Sequence, residues 1–202
     1  MRHRTIALGA LLSLIVAACG GSAVSPSTSA PSAAPSSAVV ASPAASSSVP
    51  HGAPALEENL PRVFRDKPLF MLSFGPTELA ASSAGETFAA VITKAGGDLA
   101  KAGFAVANDS APAADATFNA FAVSGGGADG SKLVDAYIAS AIAGGASLSS
   151  APATLGGRSV TRIKSLDTNP LGDAWVYAVD DVMYGVQAKD EALAAEVIAL
   201  LP

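Results

Sequence analysis

Residues 20–53 carry no charged side chain, and 25 of these 34 residues are Ser, Ala or Pro. Five prolines interrupt any helical register and no apolar period is sustained, so this stretch can neither form a helix nor bury a core. The folded part of the 202-residue chain must therefore lie beyond it, where all 17 acidic residues are found. The stretch itself reads as a disordered tether with local polyproline character, spanning about 30 Å as a coil and about 105 Å when fully extended.

What precedes the tether is an address. Arg2 and Arg4 supply a positive start, and the chain from Ile6 to Ala18 is apolar and small-residue rich, too short to span a bilayer. It ends in Val16-Ala17-Ala18-Cys19-Gly20, and Cys19 is the only cysteine. This run resembles the lipobox of bacterial lipoprotein signal peptides, where small residues precede an obligatory cysteine. The resemblance implies cleavage after Ala18 and a diacylglycerol thioether on Cys19, which would fix the protein on the outer side of a bacterial membrane. The expected organisation is a signal peptide over 1–18, a lipidated cysteine and tether over 19–53, and one domain over 54–202. Loss of Arg2 and Arg4 leaves 10 basic residues against 17 acidic ones. A chain so acidic is repelled by anionic lipid, so the anchor and not the domain must hold it to the membrane. The same balance argues against a nucleic-acid partner, which needs clustered positive charge.

From Pro54 the pattern becomes that of a folded domain. A short helix with Leu56 and Leu60 on one face opens it, followed by a strand over 69–74. Ser83-Ala84-Gly85-Glu86 fits a capping box ahead of a helix ending at Gly96-Gly97. Strands are expected over 104–108 and 117–124, then a helix over 131–143. Gly156-Gly157 marks a hairpin between strands near 148–155 and 158–164, and Asp180-Asp181 a weaker one between 175–179 and 182–187. Asp190 caps a last helix over 190–201. The element order is βαββαβ followed by further strands, which predicts an α+β, two-layer sandwich. Its ferredoxin-like core would be extended by hairpins, the sheet mostly antiparallel and the helices on one face. The domain is similar in pattern to the small exported domains that Ala/Gly-rich lipoproteins carry, a similarity that brings no active site with it.

Several chemistries are missing. With Cys19 lipidated, no thiol catalysis remains; with His3 in the signal peptide and His51 in the tether, the domain is expected to hold no histidine triad, metal centre or imidazole base. No serine sits in a G-x-S-x-G or S-x-x-K motif. Gly125-Gly126-Gly127-Ala128-Asp129-Gly130 matches G-x-G-x-x-G between a strand and a helix. No acidic residue follows at the spacing that holds a ribose, however, so it reads as a strand-to-helix turn with Asp129 or Ser131 capping the helix. Asp180-Asp181 reads as a turn, Glu57-Glu58 as part of a surface helix, and Asn108-Asp109-Ser110 as a chance sequon. No cofactor and no metal are implied.

One cluster is worth following. Across a two-residue turn Tyr177 pairs with Tyr184 and Trp175 with Val186, placing Trp175, Tyr177 and Tyr184 on one face. That face is either core beneath a helix, the favoured reading, or a stacking surface for a sugar or peptide. The expected function is a lipid-anchored, extracytoplasmic, non-catalytic module that binds a protein or glycan or organises the envelope. The rival is an exported hydrolase using carboxylates or a Ser/Lys pair.

Overall fold

A computed structural model describes residues 49–82, 85–110, 116–166 and 172–202. The expected signal peptide, Cys19, most of the expected tether and Ser83-Ala84 of the expected capping box lie outside the described residues. After helix α1 (Pro54–Glu57) comes a small hairpin, β1 (Val63–Phe64) and β2 (Lys67–Pro68). Strand β3 (Phe70–Phe74) follows, then α2 (Pro76–Ala81), α3 (Gly85–Lys94), a 3₁₀ turn (Leu99–Lys101), β4 (Gly103–Asn108) and β5 (Phe118–Ser124). The second half runs α4 (Gly130–Ala143), β6 (Leu148–Leu155), β7 (Arg158–Ser165), β8 (Asp173–Val179), β9 (Val182–Ala188) and α5 (Glu191–Ile198).

Seven strands form one sheet in the order β3-β4-β5-β9-β8-β7-β6, and every neighbouring pair is antiparallel. Two meanders, β3–β5 and β6–β9, meet where β5 pairs with β9. Helix α4 carries the chain from the centre of the sheet to its far edge. The α+β class and the antiparallel sheet are as expected, and both expected hairpins form, with Leu155 opposite Arg158 and Val179 opposite Val182.

The two-layer expectation is overturned. Phe104, Val106, Phe121, Val123, Val176 and Met183 pack in one cluster with Leu79, Val91, Ile92 and Leu133 of α2, α3 and α4. The opposite face of the same strands packs Ala105, Ala107, Ala120, Ala122, Trp175 and Tyr184 against Leu56 and Leu60. Leu193, Val197 and Ile198 of α5 complete that second cluster. The sheet is thus the middle of three layers, and α5 lies across it from α3 and α4. The reason is visible in β4 and β5, where large apolar residues alternate with alanine and not with polar residues. Both faces of such strands lose water, so both need a cover. The alanine face lets α1 approach closely: a Cβ on Gly103 would meet Leu56 Cδ1 at 3.0 Å.

The ferredoxin-like arrangement is not what the strands adopt. There β3 and β4 would run parallel with another strand between them; here they are direct antiparallel neighbours, Phe70 opposite Asn108 and Phe74 opposite Phe104. The unforeseen helix α2 explains this. Pro76 starts it, and Glu78 Oε2 accepts a hydrogen bond from Gly75 N–H at 3.0 Å, closing its first turn. With two helices in the connection the chain goes out over the sheet and returns, reaching Gly97 and Asp98 beside Gly125, at the end β3 left. A single-helix crossover would have delivered β4 parallel.

The packed structure also starts earlier than residue 54. Ser73 N–H donates to Pro50 O at 2.9 Å and Gly52 N–H to Ser73 O at 3.0 Å, so residues 50–53 lie along the β3 edge. Ala53 N–H donates to Ser73 Oγ at 2.9 Å. His51, expected in the tether, is part of this join, its Nδ1 donating to Glu57 Oε1 at 2.7 Å. Glu57 is accordingly buried and not on an open helix surface.

Candidate functional site

The aromatic face lies in the core. Trp175, Tyr177 and Tyr184 are 2%, 7% and 3% exposed, so in this structure they offer no stacking surface. Tyr177 and Tyr184 stack at 5.7 Å between ring centroids, and the guanidinium groups of Arg158 and Arg162 cover Tyr177 and Trp175. Burial pushes the Tyr177 phenol up to about 12, and its O–H donates to Pro202 O at 3.0 Å. Arg162 is held over Trp175 by Asp173 at 2.7 Å and Glu191 at 3.1 Å, closing the start of α5 onto β7 and β8. These contacts rigidify the sheet.

The glycine loop is likewise closed, by backbone. Gly125 O accepts from Asp98 N–H at 3.2 Å, and Gly130 N–H donates to Asp180 O at 3.1 Å. Gly126 takes φ +61°, and a Cβ there would run into the carbonyl of Asp98. Asp129 caps α4, accepting from Ser131 N–H at 2.8 Å. Its hydroxyl and backbone partners at Ser131 hold its carboxyl below the usual carboxylate range. A phosphate at this helix start would meet a carboxylate that stays ionised. Asp180, with φ +54°, serves the β8–β9 turn.

Sequence reasoning missed what gathers at the opposite end of the sheet, where β4, β5 and β9 finish or begin. Directly opposed positions bring Asn108, Asn119 and Gln187 into one row on the α3/α4 face. They are 0%, 3% and 5% exposed, and Asn108 Nδ2, Asn119 Oδ1 and Gln187 Oε1 are buried without a hydrogen-bond partner. Asn108 Oδ1 accepts from Ser110 N–H at 3.4 Å, so the sequon is a local turn with its asparagine sealed inside. The signal was present: each amide falls on the period of the large apolar residues, Phe104 and Val106 before Asn108, Phe121 and Val123 after Asn119. Polar residues on a buried period were there to be noticed.

On the other face of the same strand ends lies a cleft of about 400 Å³ lined by Phe64, Arg65, Lys67, Asp109, Thr117, Lys189, Asp190 and Leu193. The β1–β2 hairpin forms one wall, held by Phe64 edge-on to Phe118 at 5.1 Å and by Arg65, which forks onto Glu196 at 2.7–3.0 Å. That fork raises the Arg65 guanidinium and lowers the Glu196 carboxyl. Arg65 and Asp66 both take positive φ, 49° and 61°, so the fork secures a turn that non-glycine residues adopt reluctantly. The α5 start forms the other wall, Asp190 accepting from Leu193 N–H at 2.8 Å. Asp109 accepts from both the N–H and the hydroxyl of Thr117. Lys67 and Lys189 have no ion-pair partner among the described residues.

His51, the one imidazole among the described residues, sits beside Ser73 near the glycine end, away from this cleft. No group of His, Cys, Asp and Glu among the described residues is arranged to hold a metal ion, and no described helix is long and apolar enough to cross a membrane. The chain matches no protein-family model, and no curated protein or solved structure matches it.

Proposed function

We propose that the chain is a lipid-anchored extracytoplasmic domain of a bacterial envelope, displayed on a tether, that binds a ligand without transforming it. The observation that carries the reading is Val16-Ala17-Ala18-Cys19, a sole cysteine behind small residues at the end of an apolar run. Two acyl chains anchor stably where one does not, so a diacylated Cys19 suffices without any help from the domain surface. The cleft supports binding over catalysis. Its carboxylates already accept hydrogen bonds from Thr117 and Leu193, and neither is placed against an imidazole. Changing Cys19→Ser should abolish lipid labelling and move the protein from the membrane fraction to the soluble one; unchanged retention would overturn the anchor.

One observation favours the rival hydrolase: His51 and the buried Glu57 form an imidazole–carboxylate pair of the kind that orients a general base. Turnover of ester, peptide, glycoside or phosphate substrates by the mature chain that vanishes in His51→Ala would establish an enzyme and refute the non-catalytic reading.

A further inference from the structure

We propose that Pro152 guards the open edge of the sheet, keeping β6 from pairing with β6 of a second copy of this chain. The inference goes beyond the binding reading above and does not depend on it. A sheet edge presents a row of unpaired backbone groups, and the two edges here are treated differently. Along β3, residues 50–53 fill the outer side, with Pro50 O and Gly52 N–H engaging Ser73. Beyond β6 no further strand follows among the described residues, and Ser149, Ser150, Ala151, Pro152 and Thr154 are exposed.

The β6–β7 hairpin fixes which groups face outward. Gly156 and Gly157 take φ +57° and +80°, as a two-residue type I′ turn requires, so the flanking Leu155 and Arg158 exchange backbone hydrogen bonds. The register runs on without a bulge to Leu148 opposite Ser165, so Ala153, Ala151 and Ser149 bond to β7 in turn. Leu148, Ser150, Pro152 and Thr154 therefore turn their backbone groups away from β7. The other common guards are missing, since Leu148–Leu155 carries neither a charged residue nor a bulge. Without the proline this row would complement itself. Two copies related by a two-fold axis at Ala151 would set Leu148 opposite Thr154 and Ser150 opposite residue 152, each pair exchanging backbone hydrogen bonds. Pro152 withholds its donor and puts its ring where the second copy's Ser150 carbonyl would dock, and the symmetry repeats the obstruction. Because Thr161 opposes Pro152 at a position that exchanges no bonds, the proline takes nothing from the hairpin itself.

The test uses the mature chain, residues 19–202 with Cys19→Ser, in analytical ultracentrifugation. The parent should sediment as a monomer, and Pro152→Val should raise the average mass about twofold as concentration increases. Pro152→Thr should do the same, and both variants should fold, the side chain being exposed. Adding Ala151→Lys to Pro152→Val should restore the monomer, because it sets like charges directly opposite each other at the two-fold axis. Cys19 is the sole cysteine, so in this chain Ala151→Cys supplies a single thiol at that axis. It should crosslink into dimers about tenfold faster when combined with Pro152→Val than alone. The proposal is overturned if both opened variants stay monomeric, or if Ala151→Lys does not reverse the association. Equal crosslinking with and without Pro152→Val would overturn it as well, since the edge would then pair despite the proline.

Discussion

The two ends of the sheet solve the same problem in opposite ways. At the glycine end, loops 96–98, 125–130 and 179–182 close on one another through backbone hydrogen bonds, with the exposed Asp129 capping α4. At the other end, β4, β5 and β9 deliver Asn108, Asn119 and Gln187 to one face, while Asp109, Thr117 and Lys189 meet a cleft on the other. Among the described residues the first end buries no side-chain polar atom without a partner, whereas the second buries three amide atoms. The contrast teaches that a motif marks backbone geometry, whereas available chemistry is found by asking which polar groups are already engaged.

The largest test falls on the glycine end. Gly126 and Gly127 both take positive φ, +61° and +96°, yet a Cβ on Gly126 would strike the Asp98 carbonyl while one on Gly127 would meet nothing within 4 Å. Gly127→Ala should cost about 1 kcal/mol, from backbone strain alone. Gly126→Ala adds a clash with backbone and should cost about 3 kcal/mol or more in urea unfolding. Equal losses at the two positions would show that this end is not closed by packing.

How much of this was legible depends on how far the physics was local. Hairpin turns, the Asp129 and Asp190 caps and the apolar periods of α4 and β4–β9 follow from neighbours in sequence, and they could be read. The placement of α5 across the sheet from α4 could not, because an amphipathic helix does not say which face of a sheet it covers. The alanines alternating with large residues in β4 and β5 held that information, but only as a statement that both faces needed covering. Helix α2 was missed because Pro76-Thr77-Glu78-Leu79-Ala80-Ala81 is too short to show a period. His51 was assigned to the tether on composition, and its hold on Glu57 comes from tertiary pairing with β3. The cleft was invisible for a related reason. Its lining comes from segments as far apart as Phe64 and Leu193, joined only when β1–β2 folds over the end of β5.

At the polar end, the buried amides make a test of opposite sign. A buried polar atom without a partner costs about 1–3 kcal/mol relative to one that is satisfied. Gln187→Leu keeps most of the side-chain volume and removes the stranded Oε1, so it should raise stability by about 1 kcal/mol. A loss of that size instead would mean that the amide row is hydrogen-bonded in solution, as by an ordered water, and that the two ends are more alike than they look.

The two capping aspartates sharpen the comparison further, because they do the same local job in different surroundings. Asp129→Asn and Asp190→Asn both keep an effective N-cap and should change stability by only a few tenths of a kcal/mol. Only Asp190 lines the cleft. A loss of about 1 kcal/mol or more in either variant would show that its carboxylate does more than cap a helix.

The smallest expected effect lies in the fork that holds the cleft wall. The Glu196 carboxyl is lowered chiefly by its hydrogen bond from Arg65 and, next, by the charge of that guanidinium. A carboxylate with a lowered value in the folded state adds stability above its ordinary value, 4.5 in this case, and loses it as the pH falls through the lowered one. The pair is solvent-exposed, so the effect is small and salt erodes it. In melting curves, Glu196→Gln should sit slightly below the parent at pH 7, and the gap should close as the solution is acidified or as salt is added. If the melting gap is pH-independent, the fork is incidental, and the β1–β2 wall must be held by Phe64 against Phe118 alone.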